Sequence, residues 1–377
     1  MAETGNAPVS RSVSRELIRD ANKATGSLWE FWVQIPIPAL KKSDTMPNVI
    51  EVKNVSKSFK TYETKKKGFM ASLRRKYYIK KALTNISLNI PEGSITALIG
   101  RNGSGKSTLI KILTGILYPD SGTVSVMGLN PWEYRMKIAK EIGVVLGAHG
   151  QLYWNLPAYD TFKFMSHIYS IDQGDFEKRL KHFIGILNLE NVYKKPVRTM
   201  SLGEQMKCNF VASVLHMPKI VFLDEPTIGV DLSSKAALRT AMLEMRKEYK
   251  TTFLLTTHIV EDISIAESIL MLEKGKLVFE GSRKKLEHIF GDKRIVELQF
   301  DESTNPRLEH YGKILYQGKG YASIEVKPGL LKDRKFIEML SKDYIIDYKV
   351  SELSLTSILS KLYENLDRKI GGKRETH

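Results

Sequence analysis

The sequence predicts an α/β fold: a mostly parallel sheet with an inserted helical section, followed by a small α+β domain. Three observations predict it. Ser94–Gly100, Ile220–Asp224 and Thr251–Thr257 are short apolar runs of the kind that parallel strands show when both their faces are covered. A long and mostly helical stretch, roughly residues 150–215, separates the first run from the second. From about residue 286 the pattern changes: Arg294–Phe300 and Tyr321–Val326 alternate like half-exposed strands, and Ser354–Leu366 repeats leucine at helical spacing.

Taken in order, the 377 residues divide into an extension at 1–47, a large domain at 48–285 and an accessory α+β domain at 286–377. The extension begins polar and ends in Leu28-Trp29-Glu30-Phe31-Trp32-Val33, followed by Ile35-Pro36-Ile37-Pro38. Such closely spaced prolines stop a helix, so a short helix and an extended arm are expected. The two tryptophans suit a membrane interface or a partner surface, and equally an arm folded back on its own domain. Met46 is an alternative start, because Val49-Ile50-Glu51-Val52 already reads as a first strand.

Bulk composition sets limits. Hydrophobic residues make up 42% and charged residues 27%, ordinary values for a globular protein. The longest apolar stretches fall short of the roughly 20 residues that cross a bilayer, and Met1–Pro8 does not resemble a secretory signal. The chain is therefore expected not to enter a membrane by itself. Cys208 is the only cysteine, which excludes an internal disulfide and fits a reducing cytosol. A net charge of +16 suggests an anionic neighbour, nucleic acid or a phospholipid surface, with solvated surface lysine as the plainer explanation. The charge crowds into Lys65–Lys81, where Phe69, Leu73 and Tyr77 recur every four residues. As a helix this segment would carry an apolar stripe flanked by cations, a membrane-surface pattern; otherwise it is a solvated loop.

The chemistry begins at Gly100-Arg101-Asn102-Gly103-Ser104-Gly105-Lys106-Ser107-Thr108, a full G-x-x-x-x-G-K-[ST] loop between an apolar β run and a helical stretch. Glycines let successive backbone N–H groups turn inward around phosphate oxygens, and a helix N-terminus adds a favourable field. Lys106 is the candidate for the β- and γ-phosphates, and Ser107 for Mg2+. Lys219–Glu225 supplies the complement. Four apolar residues drive a strand into the core and present Asp224 at its carboxyl end as a Mg2+ support, while Glu225 would face the γ-phosphate and an attacking water. These two segments predict a P-loop NTPase that uses ATP and Mg2+.

Met200-Ser201-Leu202-Gly203-Glu204-Gln205 lies shortly before the aspartate strand, and His258 directly after the next β run. That order, over residues 48–285, resembles the ATP-binding subunit of ABC transporters. Pro196-Val197-Arg198, Leu152–Pro157 and Leu223–Gly229 look closest to bacterial exporters whose permeases are separate chains.

The resemblance implies an ABC-type ATPase in which two copies sandwich two ATP molecules head to tail. Ser201 and Gly203 would close over the γ-phosphate held by the other copy. Glu225 would orient or deprotonate the water, His258 would contact the γ-phosphate, and Asp231 would couple the two sites. An early aromatic residue would stack on adenine: Phe59, with Tyr62 as the alternative. The implied partners are transmembrane permease subunits, docking around Tyr153–Tyr169. The implied location is peripheral, at the inner leaflet on the cytoplasmic face of the plasma (inner) membrane.

Two positions depart from the family pattern. Leu202 and Glu204 stand where glycine and glutamine are usual, and a glutamate near a partner's triphosphate adds repulsion unless Lys207 offsets it or Glu204 points away. The glutamine that normally contacts Mg2+ and water is replaced by Ala148, which leaves Gln151 in a shifted loop, His149, or no direct ligand. Slow basal turnover is the expected consequence. Two other classes compete with the transport motor: a soluble ABC-type ATPase acting on ribosomes or nucleic acid, and an ATP-binding regulator with impaired hydrolysis. The presence of only one ATPase domain, without the coiled coils or zinc-binding cysteines of DNA-repair relatives, argues against nucleic acid as a partner. Glu225 and His258 argue against the regulator.

Overall fold

A computed structural model of the chain describes residues 47–62, 77–147, 150–289 and 293–352, together with 357, 358 and 362. The tryptophan-bearing arm, the stretch Lys65–Lys76, Ala148 and His149 lie outside these residues, as does most of the leucine-spaced stretch Ser354–Leu366.

The chain opens with two long strands, β1 (Asn48–Tyr62) and β2 (Tyr77–Pro91), paired antiparallel, and β4 (Ser121–Val126) joins the other edge of β1. From Asn85 onward β2 alternates, with Ile86, Leu88 and Ile90 buried and Asn85, Ser87 and Asn89 facing out. Tyr77–Lys81, which the sequence allowed as the end of a basic helix, is strand instead. Its backbone pairs with Ser58–Tyr62, and that ladder decides the conformation of Tyr77–Lys81.

The second sheet is six-stranded, in the order β5 (Ile142–Leu146), β6 (Ile220–Asp224), β7 (Thr252–Thr256), β3 (Ile95–Ile99), β8 (Ser268–Glu273), β9 (Lys276–Gly281). All its pairings are parallel except the edge pair β8–β9. Every residue of β3 and β7 is buried, the continuous apolar run that a central parallel strand requires. Helix α1 (Lys106–Leu113) places Leu109, Ile110, Ile112 and Leu113 in one core with Ile50, Val52 and Ile86 of the small sheet and Phe222, Leu254 and Leu270 of the large one.

After helix α2 (Arg135–Glu141) and strand β5 comes the helical section: α3 (Ala158–Ile168), α4 (Gln173–Ile186) and α5 (Leu202–Val214). From Met206 to Val214 every residue of α5 is buried, so no face of that stretch is left to solvent. Helix α6 (Leu232–Tyr249) follows β6, and the single turn α7 (Val260–Ile263) follows β7.

Helix α8 (Arg283–Ile289) runs across the boundary set at 285/286, so the compositional change there falls inside a helix. Beyond it, β10 (Arg294–Phe300), β11 (Lys313–Gly318), β12 (Tyr321–Val326) and β13 (Ile345–Glu352) form an antiparallel sheet in the order β11-β12-β10-β13. Helix α9 (Arg334–Leu340) packs Phe336 and Met339 against Val296, Leu298, Phe300 and Ile324, giving the expected small α+β unit its own core.

Candidate functional site

The parallel sheet brings the carboxyl ends of β3, β6 and β7 side by side, the edge where α/β sheets hold their ligands. Gly100–Gly105 leaves β3 and enters α1. Gly100, Gly103 and Gly105 have φ of 155°, 80° and 111°, which favours glycine. A Cβ on Gly105 would come within 2.6 Å of the Ala82 carbonyl and 2.7 Å of Leu83, so the loop's close seat on β2 also requires glycine there. No side chain caps the N-terminus of α1, which leaves its first N–H groups directed at the loop. Ser104 Oγ is buried without a hydrogen-bond partner. These features fit a phosphate group.

Lys106 is only 5% exposed, and its Nζ donates to the carbonyls of Gly100 at 2.7 Å and Arg101 at 3.3 Å. The same ammonium lies 3.6 Å from Glu225 Oε1, and that oxygen is 4.0 Å from His258 Nδ1. Lysine, carboxylate and imidazole, drawn from the ends of three strands, thus meet at one oxygen. Glu225 itself has φ 54°, an uncommon conformation for a residue with a side chain, and strain of this kind concentrates at functional sites. Its N–H is held by Thr256, at 3.2 Å from the carbonyl and 2.9 Å from the hydroxyl. The same hydroxyl donates to Asp224 Oδ1 at 2.6 Å. Thr256 therefore fixes the carboxylate of Asp224 and the backbone of Glu225 together. This role is not readable from the sequence, because the contact spans more than thirty residues and joins adjacent strands.

A second cluster forms at the start of α5. Ser201 is its N-cap: the hydroxyl accepts from Glu204 N at 3.2 Å, and the Glu204 carboxylate accepts from Ser201 N at 2.7 Å, a reciprocal capping box. Glu204, the residue expected to repel a partner's phosphate, is thus turned back on its own backbone. Gly203 lies against the N-terminus of α6, where a Cβ would come within 2.4 Å of Asp231 Oδ2 and 2.7 Å of Ser234 Oγ. Asp231 caps α6, accepting from the Ser233 hydroxyl at 2.7 Å and from Ser234 N at 2.9 Å. Those bonds, the Ser233 hydroxyl first, hold its carboxyl well below the usual range.

The model profile for the ABC transporter family matches residues 83–228. A lantibiotic transport ATP-binding protein of Streptococcus pyogenes is 31% identical over 230 residues, 60% of this chain and 96% of that protein. The chain belongs to the ABC transporter ATP-binding proteins. An ATP-binding protein of Bacillus subtilis, NatA, is 25% identical over 58% of this chain and 88% of its own length. Among solved structures, the ATP-binding subunit of an ABC transporter superposes with a TM-score of 0.54 at 25% identity, covering 64% of this chain and 93% of that one. A dimeric bacterial ABC transporter cassette shares the fold, with a TM-score of 0.52 at 24% identity. The protein is accordingly an ATPase that binds ATP.

The remaining predicted residues of this ABC ATPase sit apart from both clusters. Phe59, on β1, is 39% exposed, with Lys57 Nζ 5.9 Å from its ring centre. It lies two residues from Lys57, the partner of the same Leu83 that touches Gly105, whereas Tyr62 is about 10 Å further along the strand. Gln151 is turned away: its amide donates to the Val144 carbonyl at 2.7 Å, and its N–H to Asn209 at 3.0 Å. Acting as a metal ligand would require it to leave β5.

Proposed function

We propose that two copies of this ABC ATPase close head to tail around two Mg-ATP molecules and drive a separate membrane-spanning permease in the export direction. The observation that carries the reading is the meeting of Lys106, Glu225 and His258 at one carboxylate oxygen beside Asp224, at the end of the parallel sheet. Gly100–Gly105 and Lys106 hold the triphosphate, with Arg101, Asn102 and Thr108 completing the loop. Ser107 and Asp224 would hold Mg2+, which would screen phosphate charge; Asp224 is already aimed by Thr256. Glu225 accepts a proton from the attacking water or orients it, His258 secures Glu225 and the γ-phosphate side, and Phe59 stacks on adenine. Ser201 and Gly203 supply the partner's γ-phosphate with a hydroxyl and helix-start N–H groups. Asp231, touching Gly203 at one end of the loop that begins at Glu225, couples the two sites.

Tyr153, Trp154, Leu156, Phe164 and Ile168 are all exposed on and before α3, which supports this region as the permease dock. No described helix is long and apolar enough to cross a membrane. A peripheral position at the cytoplasmic face is supported by the β1–β2 ribbon. One of its faces presents Lys60, Tyr62, Tyr77, Ile79 and Lys81, with Tyr77 and Ile79 62% and 61% exposed, a mixture suited to anionic headgroups.

The test is a mild-detergent pull-down of the tagged chain from its native membranes. A multi-spanning protein recovered in near-equal amount is the expected result. Recovery of ribosomal or nucleic-acid-associated proteins alone would replace the transport motor with a soluble ATPase.

A further inference from the structure

Asp262 is fully buried in the single turn α7. Its Oδ2 accepts from the hydroxyls of Thr227 and of Thr257, the latter at 3.1 Å, and Oδ1 faces Arg239 Nη1 of α6 at 3.5 Å. Both threonines are buried, at 1% and 2% exposure. Thr227 follows Glu225 across Pro226, whose fixed φ leaves little slack in that link. Thr257 directly precedes His258, and its hydroxyl also receives the N–H of Ile259 at 2.9 Å, closing the turn that carries the histidine. One oxygen therefore stands two residues from Glu225 and one residue from His258.

A buried carboxylate is costly unless charge and hydrogen bonds compensate it, and well-packed apolar side chains would hold two loops together at less cost. What an apolar cluster lacks is direction. A single acceptor taking both hydroxyls fixes the two loops against each other, and Arg239 ties that point to the helix headed by Asp231. We infer that Asp262 is a positioning residue for ATP hydrolysis, setting the distance and orientation between Glu225 and His258. The inference rests on the roles given above to those two residues.

The experiment is steady-state ATP turnover by the full-length chain. D262N is expected to lower kcat about tenfold or more while KM for ATP stays within about twofold, because the loops shift and the phosphate cradle does not. T227V and T257V each remove one hydroxyl at nearly constant volume and are expected to lower kcat about threefold with KM held. If D262N fails to fold, the two threonine variants decide. A kcat within about twofold of wild type in every folded variant, or a loss carried by KM, would overturn the inference and assign Asp262 a purely structural part. E225Q serves as the reference. If it retains turnover, the role of Glu225 falls whatever Asp262 does; if it is inactive while the Asp262 and threonine variants are not, only the positioning role falls.

Discussion

The phosphate loop and the start of α5 both end in N–H groups suited to an anion, yet they are built by opposite means. Around Gly100–Lys106 the geometry is set by backbone: glycines at positive φ, a close seat on Ala82 and an N-terminus with no capping side chain. At Ser201–Glu204 it is set by side chains, which close the helix end on itself through the Ser201–Glu204 box. The first arrangement is ready to receive phosphate. The second is satisfied without one, so an approaching phosphate must offer more than the cap it disturbs.

The largest effect expected bears on the first cluster. E225Q should reduce ATP turnover about a hundredfold or more with ATP binding retained, and should accumulate as an ATP-bound dimer on size exclusion. Turnover near wild type would remove Glu225 from its role.

Next comes the contact that joins the second cluster to α6. G203A drives a methyl group onto Asp231 and Ser234, and turnover should fall about tenfold while monomer binding of ATP persists. Equal ATP affinity and equal turnover would show that this contact is slack.

The far end of α5 offers a pH test. His216 donates from Nε2 to the Ile142 carbonyl of β5 at 3.1 Å and stacks on Tyr169 at 3.8 Å; burial pushes its pKa down to about 4. The unfolded value is near 6.5. Stability is therefore complete above about pH 6.5 and declines as pH falls towards 4, by about 1–3 kcal/mol. Thermal melts of wild type and H216Q should converge in that window; a parallel decline would put the pH sensitivity elsewhere.

The smallest effect distinguishes cap from repulsion. E204Q keeps the capping box and should change turnover by less than about twofold, while E204A should cost about 1 kcal/mol of stability. A large gain in turnover with E204Q would mean the carboxylate swings toward the partner's phosphate.

The same contrast explains what could be read from the sequence. Gly100–Thr108 was legible because a loop shaped by backbone writes its requirements in consecutive residues. Asp224 and Glu225 were legible as the polar end of an apolar strand. Thr256 and Asp262 were not, since each acts through hydroxyls and carboxylates that only the parallel pairing of β6 with β7, or the turn after it, brings near. Strand β13 carries the same alternation as β10 and β12, Ile346-Asp347-Tyr348-Lys349-Val350, but its apolar residues are exposed, so it adds little to the core. Tyr77–Lys81 reads differently, because its conformation is set by Ser58–Tyr62, a partner strand that precedes the basic segment in the chain.

The strand order of the large sheet also decides when each strand meets its partners as the chain is synthesised. β3 lies in the interior of that sheet, yet its neighbours β7 and β8 are synthesised roughly 160 residues later, about 10–30 s at ordinary elongation rates. During that interval Ile95–Ile99, wholly apolar apart from Thr96, has neither flanking strand to pair with, while the β1–β2 ribbon can form from local contacts alone. Truncated chains ending before Thr252 should consequently aggregate or bind chaperones, and chains extended past Glu273 should not.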